Sequence, residues 1–333
     1  MRYFITLSYD GEDFCGWQFQ PNAVTVQECL ERTLSTLLKE PVQVVGAGRT
    51  DSKVNAIGYV AHFDYDKVID TIRFGYKLNA ILPRGIVIHS VRPVDGDLHA
   101  RFSATRREYT YFLHRTKDPF IEARSYYCPW GLDINAMNEA AALLSGTHDF
   151  RCFEKSGSDN RTSVCTIAEA FWASYVPDHV ALTGFAPAAS HPDDAADTLS
   201  TDTPPAVPLY LYFRISADRF LRNMVRAIVG SLIEVGRGRR SVADFAALIL
   251  PPDFSDSPAT DHTSIDRTST GHTSIDHTST EHTSTDRTST DLSATERNGA
   301  GGRLRTAPDG TPFRSMAGES VPGHALFLSR VDY

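Results

Sequence analysis

The chain has 333 residues, 41% of them hydrophobic, and carries 41 acidic against 33 basic side chains for a net charge of −8. That length accommodates one or two hydrophobic cores, while no uninterrupted apolar run approaches membrane-spanning length, so the reading is a soluble protein. Five cysteines (Cys15, Cys29, Cys128, Cys152, Cys165) without a C-x-x-C pair favour neither a disulfide framework nor a zinc site, and read as thiols of a reducing, cytoplasmic compartment.

The N-terminal stretch alternates Tyr3, Ile5, Leu7 and Tyr9 with mostly more polar neighbours, the period of a first strand and not the pattern of a signal peptide. Thr25 and Glu28 have capping-box spacing ahead of a helix whose apolar face is Val26, Cys29, Leu30, Leu34, Leu37 and Leu38, and Pro41 ends it. An apolar run (Val42, Val44, Val45) then leads into GAGRTDSKVNA at 46–56, with a second strand-like stretch from Ile57 to Phe63 beyond it. Gly46 and Gly48 are expected to permit a tight backbone where a Cβ would restrict the dihedrals. At the tip, Arg49, Thr50 and Asp51 place a cation and a carboxylate on a loop between strands. That arrangement suits a poised acidic site, and equally an Asx-turn with a surface ion pair.

Further along, a helix is expected over 67–80, strands over 86–91 and 108–113, and a helix from its cap at Asp133 through Leu144, with Gly146 as terminator. Strands near 164–174 and 209–216, helices over 218–235 and 242–250, and a last strand over 325–331 complete two rounds of strand and helix. The expected class is α+β, with helices covering one side of antiparallel sheet. In the long helix, Phe220, Leu221, Met224, Val225, Ile228, Val229 and Leu232 fill about half the circumference at about 100° per residue, and Arg219, Arg222 and Arg226 fall along one border. Arg226 there has room to bury its stem and extend its guanidinium into a cleft, as a snorkelling arginine on a core helix also does. Tyr109 and Tyr111, two apart on a strand, share a face.

Two acidic stretches interrupt this pattern. Residues 187–207 are rich in Ala, Pro and Asp, and residues 253–300 contain a five-residue repeat (HTSID, RTSTG, HTSID, HTSTE and on to Glu296). With hardly an aliphatic side chain, the repeat cannot bury enough surface to offset its ordering entropy. Both read as insertions in surface loops, and the repeat's histidines (His262, His272, His277, His282) read as repeat residues before metal ligands. They carry −4 and −6 of the overall −8, so the remaining chain is +2. Arg101, Arg106 and Arg107, and again Arg237, Arg239 and Arg240, are clusters suited to phosphates.

The segment GAGRTDSKVNA resembles the G-R-T-D-x-x-V-x-A signature of the TruA family of tRNA pseudouridine synthases. The likeness continues, in the family's order, through LNAILP (78–83), LHARFSATRREYTYFL (98–113), FLRNMVRAIVGSLIEVG (220–236) and VPGHALFLSRVDY (321–333). It implies two related α/β-sandwich halves, 1–105 with the catalytic Asp loop and 106–333, that join mainly antiparallel sheets around a central cleft. It also implies a homodimer acting on tRNA, at positions 38 to 40 of the anticodon stem-loop. By the same resemblance Asp51 is the nucleophile, Arg226 the basic residue paired with it, and Tyr109 the active-site tyrosine. Arg49 is assigned to the RNA backbone and the flipped nucleotide, and Leu326 to the opposite wall of the base pocket. Lys53 and Asn55 stand where the family usually has Gly and His.

The chemistry accounts for this set. Uridine isomerisation breaks the C1′–N1 bond, turns the uracil and rejoins it through C5, with no net redox change, so no metal or organic cofactor is expected. The nucleotide must first leave its stack. An ionised Asp51, favoured by a neighbouring guanidinium, attacks C1′ or C6, two routes the sequence leaves open. Tyr109 stacks on the base and takes part in the late proton transfer at C5. The alternatives are a non-catalytic tRNA-binding protein on the same scaffold and an N-glycoside hydrolase, which would want a second acid that is not evident.

Overall fold

The computed structural model describes residues 1–158, 160–185, 208–252, 306–307 and 310–333; both insertions, with the repeat, lie outside them. The alternating N-terminus becomes strand β1 (Arg2–Tyr9), with Tyr3, Ile5, Leu7 and Tyr9 buried. Helix α1 (Val26–Leu38) follows, and Thr25 Oγ1 accepts the Glu28 backbone N–H at 3.3 Å. Its buried Val26, Leu30 and Leu34 pack with β1 into one core, at about 1.5–3 kcal/mol for each such side chain. The helix stops before Pro41 is reached, because Lys39 takes a left-handed φ of 63°.

Strands β2 (Val45–Gly46) and β3 (Asn55–Asp64), helix α2 (Thr71–Ile81) and strand β4 (Ile86–Val94) complete the first round. Strand β1 lies between β3 and β4 and runs antiparallel to both. The second round comprises β5 (Arg106–His114), β6 (Tyr126–Tyr127), α3 (Ile134–Ala142), β7 (Gly146–Asp149), β8 (Val164–Ser174), α4 (Asp178–Thr183) and β9 (Tyr210–Ala217). Helices α5 (Met224–Gly236), α6 (Val242–Ala246) and α7 (Phe313–Met316) and strand β10 (Leu326–Asp332) close the chain. The fold is α+β, as the pattern of elements implied.

Among the described residues one sheet contains all the strands, in the order β4-β1-β3-β10-β5-β9-β8-β7, with β2 on β3 and β6 on β5. The seam is β10. It runs parallel to β3, pairing Phe327 with Asn55, and antiparallel to β5, pairing Leu326 with Tyr111 and Leu328 with Tyr109. Leu326 belongs to the core under β5, β8 and β9, whereas Leu328 belongs to the core under β1 and β3. Tyr109 packs against both. The last strand of the chain thus stitches the two rounds together.

Several boundaries differ from the sequence expectation, among them the start of α2, at Thr71 instead of 67. Helix α5 starts at Met224, six residues late, because Asn223 takes a left-handed φ of 66° and ties its amide to Ser320 Oγ at 2.7 Å. Arg219 and Arg222 therefore precede the helix and do not share a helical border with Arg226. Gly146 opens β7 and does not cap α3, and α6 ends at Ala246. Among the described residues no helix is long and apolar enough to cross a membrane, and all five cysteines are free thiols.

Candidate active site

The loop between β2 and β3 is pinned from below and from both sides. Tyr9 and Thr50 hydroxyls meet at 2.9 Å in a buried contact, Lys53 N donates to Phe14 O at 3.2 Å, and Tyr59 OH donates to Gly48 O at 2.5 Å. Gly16, at φ +85°, brings the neighbouring 14–17 segment so close that a Cβ there would lie 2.3 Å from Thr50 O. Fixing the loop at so many points turns it into a rigid support for Asp51.

The backbone stress of the loop lies elsewhere than its glycines suggest. Neither Gly46 nor Gly48 has a positive φ. Gly46 is required by packing, since a Cβ would meet Tyr59 Oη at 2.1 Å and the Trp17 ring at 2.5 Å, while at Gly48 a Cβ would meet open space. The left-handed residue is Lys53, at φ 65°, and its ammonium pairs with Glu12 at 3.2 Å. Asn55, 2% exposed, accepts the Gly11 N–H at 2.9 Å and donates to His324 O at 2.7 Å. It ties the end of β1 to the closing segment. The contacts of both residues are thus within the loop's scaffold.

Across the seam, Arg226 on the first turn of α5 reaches Asp51. Its Nη1 lies 3.4 Å from Asp51 Oδ2, with side-chain exposures of 23% and 27%. Its Nε donates to Val321 O at 2.6 Å, which fixes the plane of the guanidinium. Gly323 allows that closing segment to approach the loop, for a Cβ there would lie 2.6 Å from Ser52 O. The ion pair therefore joins residues 175 positions apart in sequence, brought together by packing of the closing segment against both rounds.

Tyr109 is set on β5 next to β10, its ring edge-on to Phe220 at 5.1 Å between centroids. Burial, and after it the charge of Asp51, push its phenol well above the ordinary tyrosine value. The hydroxyl is therefore neutral near pH 7 and lies within the electrostatic reach of Asp51. Tyr111 is fully buried core. Leu326 is 4% exposed, opposite Tyr111 in the register, and so lies on the same sheet face as Tyr109. Arg49 is exposed and forms no ion pair among the described residues. It lines a groove of about 170 Å³ with Trp17, Gln18, Gly48 and Arg101.

The expected basic clusters divide. Arg106 pairs with Asp332 at 2.9 Å, Arg240 with Glu234 at 3.0 Å, and Arg237 stacks 4.3 Å over the Trp130 ring. Arg107 spends its guanidinium on four carbonyls, those of Ala47, Arg101, Ala104 and Asp218. It is a clamp between the two rounds and not a free phosphate ligand, a role that a run of arginines in sequence does not reveal. Arg101, Arg106 and Arg239 are the exposed members, and of these Arg106 is held by Asp332.

The sequence model of the tRNA pseudouridine synthase family matches residues 5–103 and 140–266. A tRNA pseudouridine synthase A of Bacteroides thetaiotaomicron is 44% identical over 252 residues, covering 76% of this chain and 83% of that protein. A protein of the same name in Porphyromonas gingivalis is 43% identical over 256 residues, 76% of this chain and 90% of its own. One in Bacillus licheniformis is 37% identical over 254 residues, covering 75% and 90%.

Proposed function

Because the chain belongs to the tRNA pseudouridine synthase family, we propose that it isomerises uridine in the anticodon stem-loop of tRNA, at positions 38 to 40, with Asp51 as nucleophile. Its class of activity is that of its relatives, an isomerase acting on tRNA. The observation that carries the assignment of roles is the Asp51–Arg226 pair, formed across the seam at 3.4 Å. A carboxylate held on a pinned loop, facing an oriented guanidinium and a neutral, half-buried phenol, is suited to attack on an extruded nucleotide.

In this reading Asp51 adds to C1′ or to C6, the C1′–N1 bond breaks, and the uracil turns. A C1′–C5 bond then forms, C5 loses its proton, N1 gains one, and the carboxylate is released unchanged. Tyr109 enters as a neutral hydroxyl. While Asp51 is bonded to the substrate its negative charge is gone, and with it one of the two causes that raise the phenol, so the Tyr109 hydroxyl ionises more readily in the adduct than in the free enzyme. Arg49, exposed at the loop tip, orients the flipped nucleotide, and Leu326 backs the base pocket from the Tyr109 face.

The division into halves at 1–105 and 106–333, the homodimer and the cytoplasmic location belong to the same proposal, and sedimentation of the purified protein tests the dimer. Lys53 and Asn55 have scaffold contacts that leave Asp51, Tyr109 and Arg226 in place, which weighs against a non-catalytic binder. The direct test is Asp51→Asn with unmodified tRNA. The amide keeps the shape and loses the nucleophile, so turnover should vanish while tRNA affinity, spread over many phosphate contacts, stays near wild type. Pseudouridine formation at a near-wild-type rate by this variant would remove Asp51 from the chemistry, and release of free uracil by the wild type would point to a hydrolase.

A further inference from the structure

Beside the cleft, the turn at 98–103 is built to hold an aromatic ring in solvent. His99 Nδ1 accepts the backbone N–H groups of Arg101 and Phe102 at 3.1 and 3.2 Å, and His62 Nδ1 accepts that of Ala100 at 3.1 Å. Burial, and next the charges of Arg2 and His99, hold the His62 imidazole down to about 4, so it stays an acceptor at neutral pH. Tyr333 OH donates to Ala100 O at 2.7 Å, and Arg107 binds the Arg101 carbonyl together with that of Ala47 at the base of the Asp51 loop. At the tip of this stapled turn Phe102 is 76% exposed.

A single exposed apolar side chain is ordinary. Phe102 differs in its neighbours. The Arg101 guanidinium carbon lies 5.5 Å from the Phe102 ring centroid, and Arg101 also lines the groove that Arg49 enters from the Asp51 loop. That groove, at about 170 Å³, is smaller than the ~300 Å³ of pockets that enclose a whole small ligand. The two guanidinium groups on its rim, Arg49 and Arg101, suit it to a phosphate group. The His99 ring braces Phe102 at 4.4 Å between centroids, yet the ring stays largely exposed. An exposed aromatic ring beside one guanidinium, with a second across the shared groove, is a combination that binds single-stranded nucleic acid, with stacking for the base and charge for the backbone.

We propose that Phe102 and Arg101 form a second nucleotide subsite, in which an unpaired base next to the reacting uridine stacks on Phe102 and its phosphate lies between Arg101 and Arg49. The subsite rests on the reading of the cleft as a uridine-isomerising site. The shared arginines and the common clamp at Arg107 make it continuous with that cleft, and its positive charge selects an RNA strand over a second copy of a net-acidic chain.

The test uses the full-length protein, an unmodified tRNA transcript, and an anticodon stem-loop RNA carrying 2-aminopurine next to the target uridine. Phe102→Ala should weaken binding of the transcript tenfold or more, raise KM more than it lowers kcat, and abolish the fluorescence change of the 2-aminopurine. Phe102→Trp should restore all three. Arg101→Gln should lower the slope of log Kd against log salt by about 0.7, the loss of one single-strand phosphate contact, at an unchanged melting temperature. Wild-type affinity and an intact fluorescence change in Phe102→Ala would overturn the proposal. So would a shift in sedimentation at unchanged affinity, which would mark Phe102 as a contact between copies of the chain. A wild-type protein that gives the stacking signal but no pseudouridine would overturn the functional reading and leave the subsite standing.

Discussion

At the scale of single residues, the consequence of the charge facing Asp51 is open to measurement. Arg226→Met keeps much of the apolar stem on α5 but removes the guanidinium held 3.4 Å from the carboxylate. Pseudouridine formation should fall by orders of magnitude, whereas Arg237→Met, which loses only a stack on Trp130, should cost far less. Single-turnover assays of both variants decide it, and equal losses would make Arg226 an ordinary RNA contact. Lys53 offers a test of stability alone. A non-glycine residue at φ 65° carries roughly 1–2 kcal/mol of steric cost. Its pair with Glu12 is about half exposed on both sides and is worth about 0–1 kcal/mol. Glycine adds unfolded-state entropy of roughly 0.5–1 kcal/mol. The balance slightly favours Lys53→Gly, so urea denaturation should give a stability change between about 0 and +1 kcal/mol, and a loss above 1 kcal/mol would mean that the ion pair outweighs the strain. Type and spacing alone left Arg49, Thr50 and Asp51 open between an acidic site and an Asx-turn with a surface ion pair, and the family resemblance is what singled them out. The sequence did not reveal which residue bears the left-handed backbone, because that depends on what the loop packs against.

At the scale of elements, periodicity identified the apolar face of α5 but not its start. Phe220 and Leu221 continue the helical pattern in sequence, yet they enter the core from an irregular segment. Asn223, able to adopt the left-handed turn locally, decides the boundary. Strands β6 and β7, two and four residues long, were too short for any period to show. The approach of the closing segment to α5 was equally invisible, and it is what aims Arg226. Gly230 lies at that contact, and a Cβ there would sit 1.8 Å from Glu319 O. Gly230→Ala must push residues 318–321 away and take with them the Val321 carbonyl that orients the Arg226 guanidinium. A destabilisation of about 1–3 kcal/mol and a marked drop in turnover are expected together. Gly75, inside α2, has nothing within 4 Å of its would-be Cβ, so Gly75→Ala should instead stabilise by roughly 0.5–1 kcal/mol at unchanged activity. Thermal melts with parallel activity assays separate the two, and a harmless Gly230→Ala would show that the closing segment yields freely.

At the scale of the whole molecule, β10 explains why two cores behave as one sheet. It must return from beyond the repeat to lie between β3 and β5, so the chain tolerates an insertion only where its two ends already meet. Before residue 253, Leu250 exchanges backbone hydrogen bonds with Asp149 at 2.9 and 3.2 Å. After residue 305, the Phe313 ring lies 5.3 Å from the Arg151 guanidinium carbon. Both flanks are thus anchored on the same 149–151 segment, and a short linker is enough to join them. Removing residues 262–296 and closing the gap with a Gly/Ser linker should therefore leave folding and pseudouridine formation intact. The deleted span holds six acidic residues and two arginines, so the protein becomes less negative by four charges, and tRNA binding should tighten modestly at low salt and not at high salt. Shortening the connection also lowers its closure entropy by an amount on the order of 0.5–1 kcal/mol, so the melting temperature should hold or rise slightly. Loss of soluble expression, or of activity at an unchanged melting temperature, would show that the repeat supplies structure or substrate contacts that its composition does not suggest.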